Sequence, residues 1–306
     1  RGKGGQNAIG TESGNDLGTL RTEELEAAAS QIPMSVHYYS EQFGDAIDDF
    51  GFSTDPAEVE KKWGHTRMRE RLVRIIREQK PDILSAAFLD TEGQHGHHRA
   101  ITRATIDAYY LAANPDAFSK QIGEDGLKPW QVKKLYLPAI SGRGDVYDDT
   151  EPPPEPTVSI PTGNFDQIIG ATYRQISEWS RVRHLTQGMG RWYEAEPEMS
   201  HMHRLLCELD IPLQEDDIFV GLIKDYDDLA LICDGVLSKL LKEAGKTTYK
   251  IIGAFPDRTK ILLQLNRLSE QLDDITGALK NQPEHIFSEI EHRIKLKKKQ
   301  LGIAFF

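Results

Sequence analysis

Three histidines, His95, His97 and His98, lie within four consecutive positions of the chain. Gly93 and Gly96 are interleaved with them, and glycine permits the tight backbone bends that a ligand-binding turn needs. If a helix begins near His98, the rings of His95 and His98 lie on one face of its first turn and can reach the same ion. His97 is then expected to point elsewhere. Imidazole nitrogen is a preferred zinc ligand, so this spacing indicates half of a metal site.

The location of these histidines is stronger evidence than their spacing, because ten histidines in 306 residues produce a His-x-x-His pair by chance roughly 0.3 times per chain. The nearly all-apolar run Ile83–Leu89 predicts a strand buried on both faces of a parallel sheet. A helix is predicted from about Arg99 to Ala113. In open α/β sheets, ligands bind at such strand-to-helix turns. The alternative is that the histidines are solvent-exposed turn residues without a ligand.

Two histidines do not complete a hydrolytic zinc site, which takes three protein ligands, a position for water and a carboxylate base. Asp90 and Glu92 flank the turn and could orient His95 through a hydrogen bond. Plain solvent exposure of these two acids is the alternative.

Segments with strand-like and helix-like patterns alternate over the first two thirds of the chain. This alternation is typical of an α/β fold with a parallel sheet. From about Met199 the pattern predicts helices alone, at roughly 212–243, 256–279 and 283–299. In the first part, the predicted helices are 21–30, 55–79, 99–113 and 165–179, the predicted strands are 34–39, 83–89 and 130–137, and 148–156 is a predicted loop.

Seven segments of the chain occur in the order found in one known family. They are Arg1–Asn7, Leu17–Leu25, Asp49–Ser53, Pro81–Ile83, Gly93–Ala100, Pro129–Tyr136 and Ser180–Gly190. Together they resemble the zinc-dependent N-deacetylases of the PIG-L/LmbE-like family, which remove acetyl groups from N-acetylglucosamine-type substrates, and in particular a long-chain bacterial branch of it. The resemblance implies a Rossmann-like, three-layer, mostly parallel sheet in residues 1–195, followed by an all-helical region of unknown role in residues 196–306.

The resemblance also implies roles for single residues. In the family, the last histidine of the turn binds zinc, and the first stabilises the oxyanion or protonates the leaving amine. His98 is therefore expected to be a zinc ligand and His95 a catalytic residue. His97 stands where the family often has aspartate. Arg181 and His184 fall in a matching segment and are expected to contact the sugar or the product acetate, with structural polar roles as the alternative.

A His-Pro-Asp-Asp-Glu motif ends the first strand in this family and supplies two zinc ligands and the aspartate that activates water. The present sequence begins after that point, so we expect the first strand to be missing and the chain alone to be inactive. Truncation and a pseudoenzyme are the two explanations. The intact protein is expected to deacetylate a small-molecule or glycoconjugate substrate, and the alternative is a non-catalytic carbohydrate-binding or scaffold protein.

Composition excludes some classes of partner. A formal net charge of −11 argues against nucleic acid, since a basic surface is needed to displace its counterions. No apolar run approaches the roughly 20 residues of a membrane span. The basic run His292–Lys299 is expected to be a solvated helix face. Oligomeric state and localisation stay open, and a secreted or periplasmic location would require a signal peptide upstream of Arg1.

Overall fold

The computed structural model describes residues 1–32, 34–42, 44–49, 53, 55–139, 152–191 and 199–304. The chain divides into two compact units, Arg1–Val220 and Gly221–Phe306, of which the first is mixed α/β and the second is helical. Three predicted features lie wholly or partly outside the described residues. They are the domain boundary at residues 195 and 196, the matching segment 49–53 and the predicted loop 148–156.

A four-stranded sheet lies in the first unit. Its strands, in the order β1-β2-β6-β3, are β1 (Ile83–Ser85), β2 (Lys134–Pro138), β6 (Met199–Cys207) and β3 (Val158–Pro161). Strands β1 and β2 are parallel, with Leu84 opposite Leu135, whereas β6 is antiparallel to both β2 and β3. The described sheet is therefore mixed, and the prediction of mostly parallel pairing is wrong for it.

Strand β6 also corrects the prediction of helices alone from Met199. Residues 199–202 pair with β3, and residues 202–207 pair with β2. Each part of the strand thus finds backbone partners in a distant segment, and tertiary context of this kind overrides local propensity. A separate hairpin contains β4 (Phe165–Asp166) and β5 (Ala171–Thr172).

Several elements of the first unit differ from the predicted ones. The predicted helix 21–30 already begins at Gly14. The predicted helix 55–79 is two helices, because Gly64 has a φ of 84° that interrupts it. The predicted helix 165–179 begins only at Tyr173, after the β4–β5 hairpin, where Thr172 and Gln175 form a capping box. Residues 34–39 are irregular, so the predicted strand is wrong there. The helices are α1 (Gly14–Ala29), α2 (Pro56–Trp63), α3 (His65–Gln79), α4 (Gly96–Ala113), α5 (Ser119–Gly123) and α6 (Tyr173–Arg181).

Apolar side chains of α3 and α4 pack with those on and before β2. These buried residues are Val73, Ile76, Ala108, Tyr109, Ala112, Trp130, Val132 and Leu135. A second cluster joins α2, α3 and α4 through Val59, Trp63, Met68, Ala100 and Ala104. Because α4 belongs to both clusters, its first turn is held in place relative to β1 and β2.

A buried ionic network holds the segment after β6 on the sheet. The ammonium of Lys134 pairs with Glu215, and both side chains are 0% exposed. Lys134 Nζ also donates to the carbonyl of Ile218 at 3.0 Å. Glu215 accepts from the hydroxyl of Tyr136 at 2.7 Å, and its carboxylate lies 2.9 Å from the guanidinium of Arg204. Burial of charge costs free energy unless partners of this kind are present.

Asp45 connects the loop before α2 to α3. Its carboxylate lies 2.7 Å from the guanidinium of Arg71 and accepts from the amide of Ile47 at 3.1 Å. Burial by itself would raise the pKa of Asp45, but these hydrogen bonds and the charge of Arg71 outweigh it and hold the pKa at about 2. The ionised carboxylate is thus the form that stabilises this loop.

The described residues of the second unit form four helices, α7 (Tyr226–Leu231), α8 (Gly235–Gly253), α9 (Arg258–Leu279) and α10 (Glu284–Ala304). The prediction of a helical C-terminal region is confirmed for this unit. The predicted helix 212–243 is wrong, because residues 212–225 are not helical and residues 232–234 separate α7 from α8. Its core includes Leu237, Leu241, Leu272, Ile275, Ile290 and Ile294. None of the described helices combines the length and the apolar composition that a membrane span requires.

Candidate active site

The turn between β1 and α4 is shaped by two glycines. Gly93 has a φ of 85°, which other residues rarely adopt. Gly96 donates its amide to the carbonyl of Ser53 at 2.8 Å, and a Cβ at this position would lie 2.7 Å from the carbonyl oxygen of Asp55. Because both neighbours are backbone atoms, they cannot rotate away. Residue 96 must therefore be glycine for α4 to begin where it does.

Two contacts fix the residues between β1 and the histidines. The hydroxyl of Thr102 in α4 donates to the carbonyl of Phe88 at 2.8 Å. The ring of Phe88 stacks on that of His98, with a centroid separation of 3.7 Å and an interplanar angle of 1°. Stacking on one face leaves the edge of the imidazole, which carries its nitrogens, as the part able to bind a ligand.

All three imidazoles of the turn line one cavity of about 440 Å³. The ring centroids of His95 and His98 are 5.5 Å apart, and those of His97 and His98 are 4.0 Å apart. The expectation that His97 points elsewhere is wrong. His95 is the N-cap of α4, and side chains in a first turn lean toward the helix N-terminus, so neighbouring residues reach the same space.

Gln94 determines which nitrogen of His98 carries the proton. Its side-chain oxygen accepts the backbone amide of His95 at 3.0 Å, and this donor identifies the atom as oxygen. The same oxygen lies 2.8 Å from Nδ1 of His98, so Nδ1 must be the donor. Nε2 of His98 then keeps its lone pair. A buried acceptor that fixes the tautomer in this way is a common partner of metal-binding histidine.

Burial keeps two of the imidazoles neutral. Burial, with a smaller contribution from His95, lowers the pKa of His98 to about 4. It also lowers the pKa of His97 to about 3, with smaller contributions from His98 and His95. Neutral imidazole is the form that binds metal. Among the described residues, no group of three or more His, Cys, Asp and Glu side chains is placed to hold a metal ion.

His184 lies in the wall of the same cavity, and its contact with the sugar or the acetate stays a prediction. Two residues later in the chain, Thr186 is held by helix α1 through the backbone amide and the hydroxyl of the threonine. Glu24 accepts both of these groups at 2.7 Å, and Nε of Arg21 lies 3.4 Å from the hydroxyl. The carbonyl of Thr186 accepts the amide of Ala8 at 2.8 Å. These four hydrogen bonds position His184 relative to the histidine turn.

Arg181 lies at a neighbouring cavity of about 450 Å³, which it lines together with His184. Its guanidinium donates to Glu178 at 2.7 Å and to the carbonyls of Met189 and Arg191 at 3.3 and 2.7 Å. These contacts join the end of α6 to the segment that follows His184. A contact of Arg181 with substrate stays a prediction.

Asp90 pairs with two arginines of α4. Its carboxylate accepts Nε of Arg99 at 2.8 Å and Nε of Arg103 at 2.5 Å. Burial would raise the pKa of Asp90, but the two guanidinium groups outweigh it and lower the pKa. Asp90 therefore connects the end of the strand-to-helix turn to the first turns of α4. Glu92 is exposed, and the orienting roles of both acids toward His95 stay predictions.

Residues 1–109 match the family model described as PIG-L: GlcNAc-PI de-N-acetylase. These residues carry a PIG-L family domain. The chain is 35% identical over 133 residues to 1D-myo-inositol 2-acetamido-2-deoxy-alpha-D-glucopyranoside deacetylase 1 of Frankia alni, an alignment that covers 42% of this chain and 43% of that protein. It is 29% identical over 140 residues to the deacetylase of the same substrate name from Streptomyces scabiei, covering 44% of this chain and 41% of that protein. The chain spans about two fifths of the length of these curated relatives.

The PIG-L match includes β1, the histidine turn and most of α4, whereas β2, β6 and His184 lie beyond residue 109. Sequence reasoning missed Gln94 and the α1 contacts of Thr186. A signal for Gln94 was its place directly before His95 and four residues before His98. No local signal links Glu24 to Thr186, because 162 positions separate them.

Proposed function

We propose that the intact protein is a zinc-dependent N-deacetylase of an N-acetylglucosamine-type sugar or conjugate, and that the histidine turn supplies part of its metal site. The observation that carries this proposal is the Gln94–His98 pair within a PIG-L domain. Gln94 leaves Nε2 of His98 with its lone pair, and His98 lines a cavity together with His95 and His184.

The donor chemistry of the turn fits zinc. His98 is neutral, its tautomer is fixed, and its ring is held by Phe88. A catalytic zinc site takes three protein ligands. We therefore propose that His98 is one ligand and that the others come from outside the described residues. His97 would be a second imidazole at the same cavity, and the proposal gives it no role as a ligand.

The chain's own groups supply the remaining chemistry. Bound zinc would polarise the acetamide carbonyl and lower the pKa of a water molecule. His95, at the N-cap of α4, lies where backbone amides and the positive end of the helix dipole stabilise a developing oxyanion. His95 would stabilise that oxygen or protonate the leaving amine. His184, in the wall of the cavity, would contact the sugar.

The substrate class rests on the relatives, whose names specify an acetamido-glucopyranoside of inositol. A cavity of about 440 Å³ lies within the usual range of small-ligand pockets. We also propose a Rossmann-like three-layer arrangement for the intact protein, in which a further strand pairs with β1, the edge strand of the described sheet.

Acetate release and zinc content, measured on the intact protein with the acetamido-glucoside of inositol, test the proposal. His98→Ala is expected to lose both zinc and activity. His95→Ala is expected to keep zinc but lose at least about 100-fold in kcat, as for other oxyanion-stabilising groups. His285→Ala, at an exposed position of α10, is the control. Equal zinc content in wild type and His98→Ala would remove His98 from the ligand set, and sugar binding without acetate release would favour the non-catalytic alternative.

A further inference from the structure

Apolar side chains are exposed at one end of the helical unit, where α8 and α9 are joined. We call residues 249–263 the hairpin end. Its exposed apolar residues, between 48% and 63% accessible, are Tyr249, Ile252, Phe255, Leu262 and Leu263. Several large apolar side chains exposed within one short segment are a candidate interaction site.

These side chains lie at a similar depth along the hairpin. Tyr249 is four residues before the last residue of α8, and Leu263 is five residues after the first residue of α9. With a helical rise of about 1.5 Å per residue, all five lie within about 6 to 8 Å of the end. One planar surface placed across that end could therefore contact them together.

The net charge of the hairpin end is positive, whereas the net charge of the whole chain is negative. Lys250, Arg258 and Lys260 are exposed there, and Asp257 is the one acidic residue in the segment. Asp257 caps α9 by accepting the amide of Lys260 at 3.1 Å, and it lies 3.0 Å from the ammonium of the same residue. Outside the segment, the carboxylate of Asp225, the N-cap of α7, lies 3.5 Å from the hydroxyl of Tyr249. The whole chain, in contrast, carries −11.

We propose that the hairpin end docks on an anionic lipid surface. Its apolar side chains would enter the boundary between headgroups and acyl chains, which interfacial segments penetrate by about 5–10 Å. Lys250, Arg258 and Lys260 lie nearer the end than Tyr249 and Leu263 do, so their long side chains would extend back to the anionic headgroups, where each cation adds to binding.

Charge favours a lipid surface over a second copy of the chain. A two-fold interface would place the same patch of both copies face to face, and with it the same cations. Like charges brought together in an interface are unfavourable.

Vesicle sedimentation of the full chain tests the proposal. The probes are vesicles of equimolar phosphatidylglycerol and phosphatidylcholine, compared with phosphatidylcholine alone. We expect binding to the anionic vesicles, and loss of that binding when salt rises from about 0.05 to 0.5 M. Absence of binding, or equal binding to both kinds of vesicle, would overturn the proposal.

Two double variants separate the apolar and the cationic contributions. Ile252→Ser with Leu263→Ser, and Arg258→Gln with Lys260→Gln, should each weaken vesicle binding by about tenfold or more. Leu231→Ser with Val236→Ser changes residues that are 78% and 69% exposed elsewhere in the unit, and should leave binding unchanged. Lys297→Gln with Lys299→Gln, in the basic run of α10, is the matched charge control.

Light scattering of the same proteins tests whether the hairpin end binds a second copy of the chain instead of a lipid surface. If the wild type is a dimer that the Ile252→Ser, Leu263→Ser variant converts to a monomer, the hairpin end binds a second copy and the lipid proposal is wrong. Circular dichroism checks that each variant keeps its helices. If the hairpin variants fold and still bind anionic vesicles like the wild type, the proposal is equally overturned.

Discussion

Replacing Gln94 with methionine removes the side-chain oxygen that accepts two hydrogen bonds. One comes from Nδ1 of His98 at 2.8 Å, and the other comes from the backbone amide of His95 at 3.0 Å. Gln94 is 1% exposed, so water does not replace that oxygen. A lost hydrogen bond typically costs about 0.5–1.5 kcal/mol, which gives about 1–3 kcal/mol in the free energy of unfolding for the two together. The proton of His98 is then no longer held on Nδ1, and we expect zinc affinity of the intact protein to fall about 10- to 100-fold.

Two measurements on Gln94→Met check this reasoning. Urea unfolding of the chain gives the loss of stability, and long-range proton–nitrogen NMR correlations show which nitrogen of His98 is protonated. Gln94→Glu is the matched control, because its carboxylate still accepts both donors and should keep the proton on Nδ1. A proton on Nε2 of wild-type His98 would contradict this role of Gln94, as would a Gln94→Met variant with unchanged tautomer and unfolding free energy.

Three further predictions concern the fold. Gly96→Ala should destabilise the chain by about 1–3 kcal/mol, because the added Cβ would contact rigid backbone. Gly277→Ala in α9 is the control: the space around its Cβ is open, so it should stabilise the chain by about 0.5–1 kcal/mol. Shifts of the melting temperature in the same direction for both variants would contradict this prediction. Asp45→Asn should lower the free energy of unfolding by a constant amount above about pH 5. As pH falls toward the pKa of about 2, the variant and the wild type should become equally stable, because the carboxylate stabilises the fold only when it is ionised. A difference at pH 2 as large as that at pH 7 in acid titration would refute it. Glu215→Gln should lower the free energy of unfolding by about 3–5 kcal/mol, because it leaves Lys134 buried without its counter-charge. Adding Lys134→Met should recover part of this loss. A loss below about 1 kcal/mol in urea unfolding of Glu215→Gln would refute the prediction.

The histidine turn was predictable because its evidence is local. A short apolar strand, two glycines and the start of an amphipathic helix follow one another within Ile83–Ala113, and the structure has β1, the turn and α4 in that order. The prediction for His97 failed because it applied mid-helix spacing to a first turn. Gln94 was missed because a glutamine is not itself a typical metal ligand, and its importance comes from the two donors that share its oxygen.

Features that depend on distant parts of the chain were not predictable from local patterns. The pairing of β6 with both β2 and β3 cannot be recognised in residues 199–207 themselves. The same holds for the α1 contacts of Thr186, which place His184 in the cavity. His184 was singled out because it lies in a segment that resembles the family. Its separation in sequence from the histidine turn carries no geometric information.

The position of β6 has a consequence for the nascent chain. Strand β2 leaves the ribosome 69 residues before the end of its neighbour β6, at Cys207. At a synthesis rate of about 5–20 residues per second, one edge of β2 stays unpaired for about 3–14 s. During that interval the ammonium of Lys134 is still hydrated, because its carboxylate partner is made later still, at Glu215. A cation on an open strand edge discourages pairing with other chains, so the residue that the finished protein buries would protect β2 from aggregation while its neighbour is being made.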